Sequence, residues 1–308
     1  MIARASALLA LVLGLGAPAL ADYRELAAIE TDPELERGLA AIAEDAFASF
    51  PRLEPGHLSI TLVDLTDPGR LRRASFAGET AYHPASVVKI FYLAAVHREA
   101  AAGSLAIDPP LEAALPDMIV DSGNDATSYV VDVLTGTTSG PELSGRAWRR
   151  FVHRRNGPNR WFAGMGYDVN VNGKTWCEGV YGREKQLLGT NREYRNRVTS
   201  DAIAALALWI ARRRAVSPAA SAAMLALMER QAGAASDQQQ VKSFGGEALP
   251  PGSHLWSKAG WTSEVRHEAM IVELPGGRKY VAAILTRGAG GDERLLPAIS
   301  GGIVALFD

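Results

Sequence analysis

The chain has 308 residues, of which 47% are apolar, so it is long enough to bury a substantial core as one large domain or two modest ones. Its formal net charge of −2 gives it no general attraction for a phosphate backbone, which argues against a nucleic-acid partner. Arginines cluster between residues 146 and 155, and we interpret them as the solvated face of a helix.

Residues 1–21 have the pattern of a cleavable signal peptide. Arg4 supplies a positive start, residues 5–16 are apolar, and residues 19–21 offer the small side chains of a cleavage site. The apolar run is short for a bilayer span. The sequence therefore predicts a periplasmic or secreted protein without a stable membrane anchor. The single cysteine, Cys177, excludes an internal disulfide and is expected to be structural.

Apolar periodicity predicts the elements that follow. A helix is expected over residues 32–49, then a hairpin of strands over 57–65 and 71–77, then a helix over 87–102. Further helices are predicted over residues 126–134, 146–155, 200–213 and 218–231. Residues 156–196 show no clear period, but their six aromatic side chains indicate an ordered segment.

The C-terminal part is rich in strands. They are predicted over residues 255–259, 268–274 and 279–286, and a closing helix over 295–307. Strands at both ends with helices between them predict an α+β fold, in which one antiparallel sheet is built from both chain ends and flanked by helices.

An all-α subdomain is expected as an insertion into this fold. We predict that the α/β part covers about residues 22–95 and 215–308, and the helical part about 96–214. The catalytic groups are expected at the seam between the two parts.

Ser86-Val87-Val88-Lys89 opens a predicted helix, and residues three apart on a helix share a face. A serine hydroxyl needs a base to become a nucleophile, and a lysine can be that base when burial or a nearby cation lowers its pKa. The helix N-terminus favours a developing oxyanion. The pattern predicts Ser86 as nucleophile and Lys89 as base, although chance also supplies it in many proteins.

Two further motifs contain residues that could act together with Ser86 and Lys89. Ser122-Gly123-Asn124 precedes a predicted helix. The Ser122 hydroxyl can relay a proton and the Asn124 amide can hold a substrate. The alternative interpretation is that these residues only cap the helix. Lys258-Ala259-Gly260 ends a strand; its lysine can attract a carboxylate and its glycine allows close backbone approach, with a solvated turn as the alternative.

In this order, the three motifs resemble those of the class A β-lactamase-like serine hydrolases, within the penicillin-recognising superfamily, over about residues 35–308. The resemblance implies attack by Ser86 on a β-lactam or a D-Ala-D-Ala-type amide, through an acyl-enzyme. It implies catalytic roles for Ser86, Lys89 and Ser122. It also implies substrate binding by Asn124, Lys258, Gly260, Trp261 and Thr262, with the backbone N–H groups of Ser86 and Trp261 forming the oxyanion hole.

The sequence departs from the family pattern in three ways. Ala259 lacks the hydroxyl of the usual Lys-Thr-Gly or Lys-Ser-Gly motif, for which Thr262 or Ser263 are candidate replacements. The separation of the first two motifs is shorter than in typical class A enzymes. The deacylating glutamate is not in its usual context: Glu184 lies at about the right distance, with Glu193 as the alternative.

Glu178 belongs to the same loop, and for each of these glutamates a salt bridge to an arginine is the competing interpretation. Without a glutamate to activate water, the acyl-enzyme would be long-lived. The six histidines are dispersed, so no metal or cofactor is expected, and His83 is interpreted as structural.

Three functional hypotheses follow. The first is a β-lactam hydrolase, and the second is a DD-peptidase or another amide or ester hydrolase of the cell wall. The third is a non-catalytic periplasmic binding protein that uses the aromatic segment over residues 161–181. We expect a monomer that acts on a small molecule.

Overall fold

The computed structural model describes residues 23–175 and 179–308. The predicted signal peptide, Cys177 and Glu178 lie outside the described residues. No helix in the described ranges combines the length and the apolar character needed to cross a membrane.

A seven-stranded sheet forms the centre of the fold, in the order β1-β3-β2-β7-β6-β5-β4. Its strands are β1 (Glu30–Thr31), β2 (Leu58–Asp64), β3 (Arg72–Phe76), β4 (Glu229–Arg230), β5 (His254–Trp261), β6 (Arg266–Glu273) and β7 (Lys279–Thr286). The predicted α+β sheet from both chain ends is confirmed. It is antiparallel except at one edge, where the two residues of β1 pair in parallel with β3.

Helices cover both faces of the sheet. They are α1 (Tyr23–Ala28), α2 (Pro33–Ser49), α3 (Lys89–Ala101), α4 (Pro109–Pro116), α5 (Asn124–Thr135), α6 (Gly145–Arg155), α7 (Gly157–Gly164), α8 (Gly182–Leu188), α9 (Ser200–Ala211), α10 (Pro218–Met228) and α11 (Leu295–Ala305). Helix α2 shows how local chemistry sets a boundary, because the Asp32 carboxylate accepts the N–H groups of Glu34 and Leu35.

The sheet separates two apolar cores. On one face, α3 and α9 pack with the middle helices around residues such as Phe91 and Trp209. On the other face, α2 and α11 pack around residues such as Leu39 and Ile299. Alternate residues of a strand point to opposite faces, so each central strand contributes to both cores.

Several predicted boundaries were wrong for reasons of tertiary packing. The helix expected from residue 87 is divided, since Ala85–Val88 forms a 3-10 turn before α3 begins. The helix expected over 218–231 stops at Met228, where the chain becomes β4 and pairs with β5. Strand β5 is longer than predicted because it pairs with β6 along its whole length.

The segment without a clear period contains the short helices α7 and α8, and α4 was not predicted. Short helices carry few turns, so their apolar spacing gives a weak signal. Helix α4 is instead specified by its start: the Asp108 side chain accepts the Leu111 N–H, and prolines occupy the first helical positions.

Candidate active site

Ser86 lies in the 3-10 turn Ala85–Val88 rather than in the first turn of an α-helix. Ala85 has a φ of 46°, a left-handed conformation that is uncommon for residues with a side chain. Val87 and Val88 are fully buried and anchor the turn, whereas Ser86 is partly exposed. The turn therefore presents the Ser86 hydroxyl to a cleft while Lys89, the first residue of α3, is completely buried.

Strand β5 passes directly against this turn. A Cβ atom added to Gly260 would lie 2.8 Å from the backbone nitrogens of both Ser86 and Val87, closer than real Cβ atoms come. The position therefore requires glycine, which lets the strand backbone approach the nucleophile. The following residue, Trp261, lines the same cleft as Ser86, while its ring packs against Phe244 at 5.4 Å between centroids.

The Lys89 amine connects the first motif to the second. Its Nζ donates to the Ser122 carbonyl oxygen at 2.6 Å, to Ser122 Oγ at 3.2 Å and to Asn124 Oδ1 at 3.0 Å. The two motifs, separated in sequence, therefore meet in one buried hydrogen-bond network.

Ser122 owes its position to an unusual turn. A π-helical turn, Asp117–Asp121, ends at Ser122, whose φ is 58°. A Cβ on Gly123 would lie 2.0 Å from Asp117 Oδ1, so a side chain there would displace the Asp117 carboxylate. Helix α5 then begins at Asn124, which confirms the prediction that the motif precedes a helix.

Lys258 completes the network from β5. Its Nζ donates to Ser122 Oγ at 2.9 Å, to Gln240 Oε1 at 2.5 Å and to its neighbour's carbonyl oxygen at 2.8 Å. Burial lowers the pKa of Lys258 well below its usual value, and the nearby Lys89 and Arg230 cations lower it further. Ser122 Oγ thus lies between two lysine nitrogens.

Gln240 is a site residue that the sequence reasoning missed. Its Nε2 donates to the carbonyl oxygens of Ile119 and Val120 at 2.9 and 2.6 Å, and its Oε1 accepts from Lys258. The side chain therefore ties the π-helical turn to β5. Gln240 stands in a run of three glutamines, which gives no local signal of this role.

His267 was missed in the same way. Its Nε2 donates to the carbonyl oxygen of His83 at 2.9 Å, and its Nδ1 accepts the N–H of Thr286 at 3.0 Å, so the ring is a neutral brace between β6 and the segment before Ser86. Burial lowers the pKa of His267 to about 4. His83 lines the cleft, and burial, followed by the charge of Arg195, lowers its pKa to about 4 as well.

The cleft at Ser86 has a volume of about 410 Å³, and Asn124, Trp261 and Thr262 also line it. The Thr262 hydroxyl accepts the N–H groups of Glu264 and Val265 at 3.1 and 3.2 Å. The side chain of Ala259 is fully buried in the core beneath α2 and α11. Ser263 lines a separate pocket, so it does not share the cleft with Ser86.

Glu184 lines the cleft but is held by an arginine. Both of its carboxylate oxygens accept from Arg155, at 2.8 and 2.7 Å, and Oε1 also accepts from Ser139. Glu193 lines a neighbouring cavity, and its carboxylate accepts the N–H of Asn191 at 2.8 Å. Among the described residues of the cleft, Glu184 is the one carboxylate.

A sheet covered by helices on both faces, with two lysines joined through Ser122 near a cleft that Ser86 lines, is typical of β-lactamase-like serine enzymes. The model of the Beta-lactamase enzyme family matches residues 39–303, and the chain belongs to that family. No curated protein sequence matches it.

Solved structures are similar in fold at low sequence identity. A PBP-A mutant, captured as an acyl-enzyme complex with penicillin-G, is 19% identical with a TM-score of 0.62 and covers 88% of this chain and 96% of its own. A beta-lactamase from Sphaerobacter thermophilus is 21% identical with a TM-score of 0.63, covering 88% and 97%. The TLA-1 extended spectrum beta-lactamase is 12% identical with a TM-score of 0.64, covering 88% and 99%.

Proposed function

We propose that this protein is an exported serine hydrolase that opens a β-lactam or a related amide through an acyl-enzyme on Ser86. The observation that carries the proposal is the buried network in which Ser122 Oγ joins the Lys89 and Lys258 amines, near the partly exposed Ser86. Cleavage of residues 1–21 would release the enzyme on the far side of the cytoplasmic membrane.

In the acylation step, Ser86 Oγ attacks the amide carbonyl carbon while its proton passes to the neutral amine form of Lys89, which thereby becomes the ammonium. The backbone N–H groups of Ser86 and Trp261 would stabilise the oxyanion. The C–N bond then breaks, and the leaving nitrogen takes a proton through Ser122. This role suits Ser122, because its oxygen accepts from both lysines and its own O–H is left to donate.

Deacylation needs a water and a base. Glu184 is the candidate within the cleft, but its two oxygens already accept from Arg155 in a fully buried ion pair. Releasing one oxygen toward a water would leave a buried charge with less compensation. We therefore propose that Glu184 braces α8 against α6, and that deacylation is slow.

Time-resolved intact mass measurement with benzylpenicillin tests the proposal. The mature protein should gain the full mass of one penicillin, since ring opening loses no atoms, and the adduct should map to Ser86. Lys89→Ala should slow its formation by about 10²- to 10⁴-fold, the usual contribution of a general base. Absence of an adduct on the wild-type protein would sink the proposal.

Glu184→Gln separates the two roles of that residue, with Glu193→Gln as the matched control in the adjoining loop. A brace predicts a loss of stability of about 3 kcal/mol or more with little change in adduct lifetime. A deacylating base instead predicts a prolonged adduct, whatever the loss of stability.

A DD-peptidase or penicillin-binding type of enzyme is the second candidate. The arginine-bound Glu184 and the buried methyl of Ala259 favour it, because both remove parts that efficient β-lactam hydrolysis uses in the resembled family. An adduct that persists for hours, together with release of D-alanine from a D-Ala-D-Ala peptide, would establish it. Rapid return of free enzyme would establish a β-lactam hydrolase instead and would contradict the slow deacylation proposed above.

A further inference from the structure

The charges that line the cleft are unevenly neutralised. Lys174 donates to Asp132 at 2.6 Å, and Glu184 is paired with Arg155. Two other cleft residues, Arg192 and Arg195, form no side-chain hydrogen bond or ion pair with any residue in the part of the chain that is described. One wall of the cleft therefore carries two guanidinium groups without such partners.

On the opposite side of the site, Lys258 has no N–H group left for an anion. A lysine ammonium has three N–H groups, and three acceptors already surround Lys258 Nζ. Lys258 is fully buried and is not among the residues that line the cleft. Ala259 brings no hydroxyl, and Thr262, which follows it along the chain, contributes a neutral O–H to the cleft.

Local structure holds the two arginines on one short turn. The Arg192 N–H donates to the Gly189 carbonyl at 3.2 Å, and the Arg195 N–H donates to the Arg192 carbonyl at 3.1 Å. Arg192 has a φ of 58°, a strained conformation that persists only where the surroundings impose it. The intervening Glu193 folds back onto Gly189 and binds the Asn191 N–H, so it makes no ion pair with either described arginine.

Electrostatics in the cleft agree with a positive wall. Burial and the charge of Arg192 lower the pKa of Arg195, while Glu264, which lines the neighbouring cavity, acts in the opposite direction. Both arginines also lower the pKa of His83, so that ring is neutral at pH 7 and adds no charge of its own.

We propose that Arg192 and Arg195 form the anion-recognising wall of the cleft, and that the substrate is an amide or β-lactam whose carboxylate binds there. This inference rests on the proposed function for the identity of the substrate. A planar guanidinium pair suits a carboxylate, because each can present two N–H groups to its oxygens. The anchor of the substrate thus lies on the loop that follows α8 rather than on Lys258.

The test measures equilibrium binding to the Ser86→Ala protein by calorimetry, which removes acylation from the readout. The ligands are benzylpenicillin and its neutral methyl ester. The free acid should bind about tenfold more tightly than the ester, as expected for a part-exposed charge-assisted contact, and salt should reduce the difference. Arg192→Gln combined with Arg195→Gln should bring the two ligands to within about twofold.

Arg197→Gln is the matched control, because its guanidinium is paired with Asp168 at 2.8 Å and lies outside the cleft. It should leave the preference for the acid unchanged. Equal binding of acid and ester, no measurable binding of the acid, or a preference that survives in the double variant would each overturn the inference. A third outcome separates the two proposals. If the acid is preferred only while both arginines are present, but wild-type Ser86 forms no adduct, the proposed function is refuted and the inference about the arginines stands.

Discussion

At Gly260 a single hydrogen atom in place of a side chain decides how closely β5 approaches Ser86. A methyl group there would meet two backbone nitrogens at 2.8 Å and the Pro84 carbonyl at 3.0 Å. Backbone cannot swing aside as the end of a long side chain can, so the turn or the strand must shift.

Gly260→Ala is therefore expected to slow acylation by benzylpenicillin by about 10²-fold, because a displacement of about 1 Å disrupts the alignment of nucleophile and oxyanion donors. The rate of adduct formation by intact mass measures it. Gly291→Ala is the control, since a Cβ there would meet open space. Equal rates for the two variants would show that the close approach is not needed for reaction.

At the scale of elements, the site depends on contacts between segments that are far apart in sequence. The π-helical turn that carries Ser122 and the strand that carries Lys258 do not pair through backbone hydrogen bonds. Gln240 joins them, because its amide nitrogen donates to carbonyl oxygens of the turn and its amide oxygen accepts from Lys258.

Gln240→Ala is expected to remove this connection and to leave Lys258 with one acceptor fewer in a buried site. A buried polar group that loses its partner costs about 1–3 kcal/mol, so stability to urea should fall by that amount. The rate of acylation should fall as well, because Ser122 Oγ and Lys258 lose their fixed separation. Gln239→Ala, at an exposed neighbour, should change neither quantity.

Prediction from sequence succeeded where the signal was local. The turn before Asn124 and the strands of the C-terminal half each show a pattern within a few residues. Gln240 and His267 bind groups more than a hundred residues away, and nothing beside them in sequence indicates it. Long-range partners of this kind are specified by the fold as a whole.

The same limit explains the errors in the elements. Residues 85–88 read as the start of a helix, but packing of Gly260 against the turn and a left-handed Ala85 give a 3-10 conformation instead. Glu184 was expected on a loop but lies in helix α8, and the sequence alone left open whether it met water or an arginine. The buried Arg155 supplies the ion-pair geometry that was the competing interpretation.

For the whole molecule, β6 connects the two cores through neighbouring titratable residues. His267 faces the core of α3 and α9, and Glu268 faces the core of α2 and α11. Burial lowers the pKa of His267 from 6.5 to about 4 and raises that of Glu268 from 4.5 to about 8. Folding therefore favours the uncharged form of His267 on one side of β6 and the uncharged form of Glu268 on the other.

The two residues should respond to pH in opposite directions. The folded state holds fewer protons at His267 than the unfolded chain, so its contribution is complete above pH 6.5 and is lost as pH falls toward 4. At Glu268 the folded state holds more protons, so its contribution is complete below pH 4.5 and is lost as pH rises through 8.

Urea denaturation of wild type, His267→Gln and Glu268→Gln at several pH values between 4 and 8.5 measures both effects as differences. The free energy of unfolding of wild type relative to His267→Gln should rise by about 1.4 kcal/mol per pH unit between pH 4 and 6.5. Relative to Glu268→Gln it should fall with a similar slope between pH 4.5 and 8. Exposed His254, changed to Gln, should give a curve parallel to wild type. If the curves of all three variants ran parallel to that of wild type, the pKa values of His267 and Glu268 would not differ between the folded and unfolded states, and the prediction would be wrong.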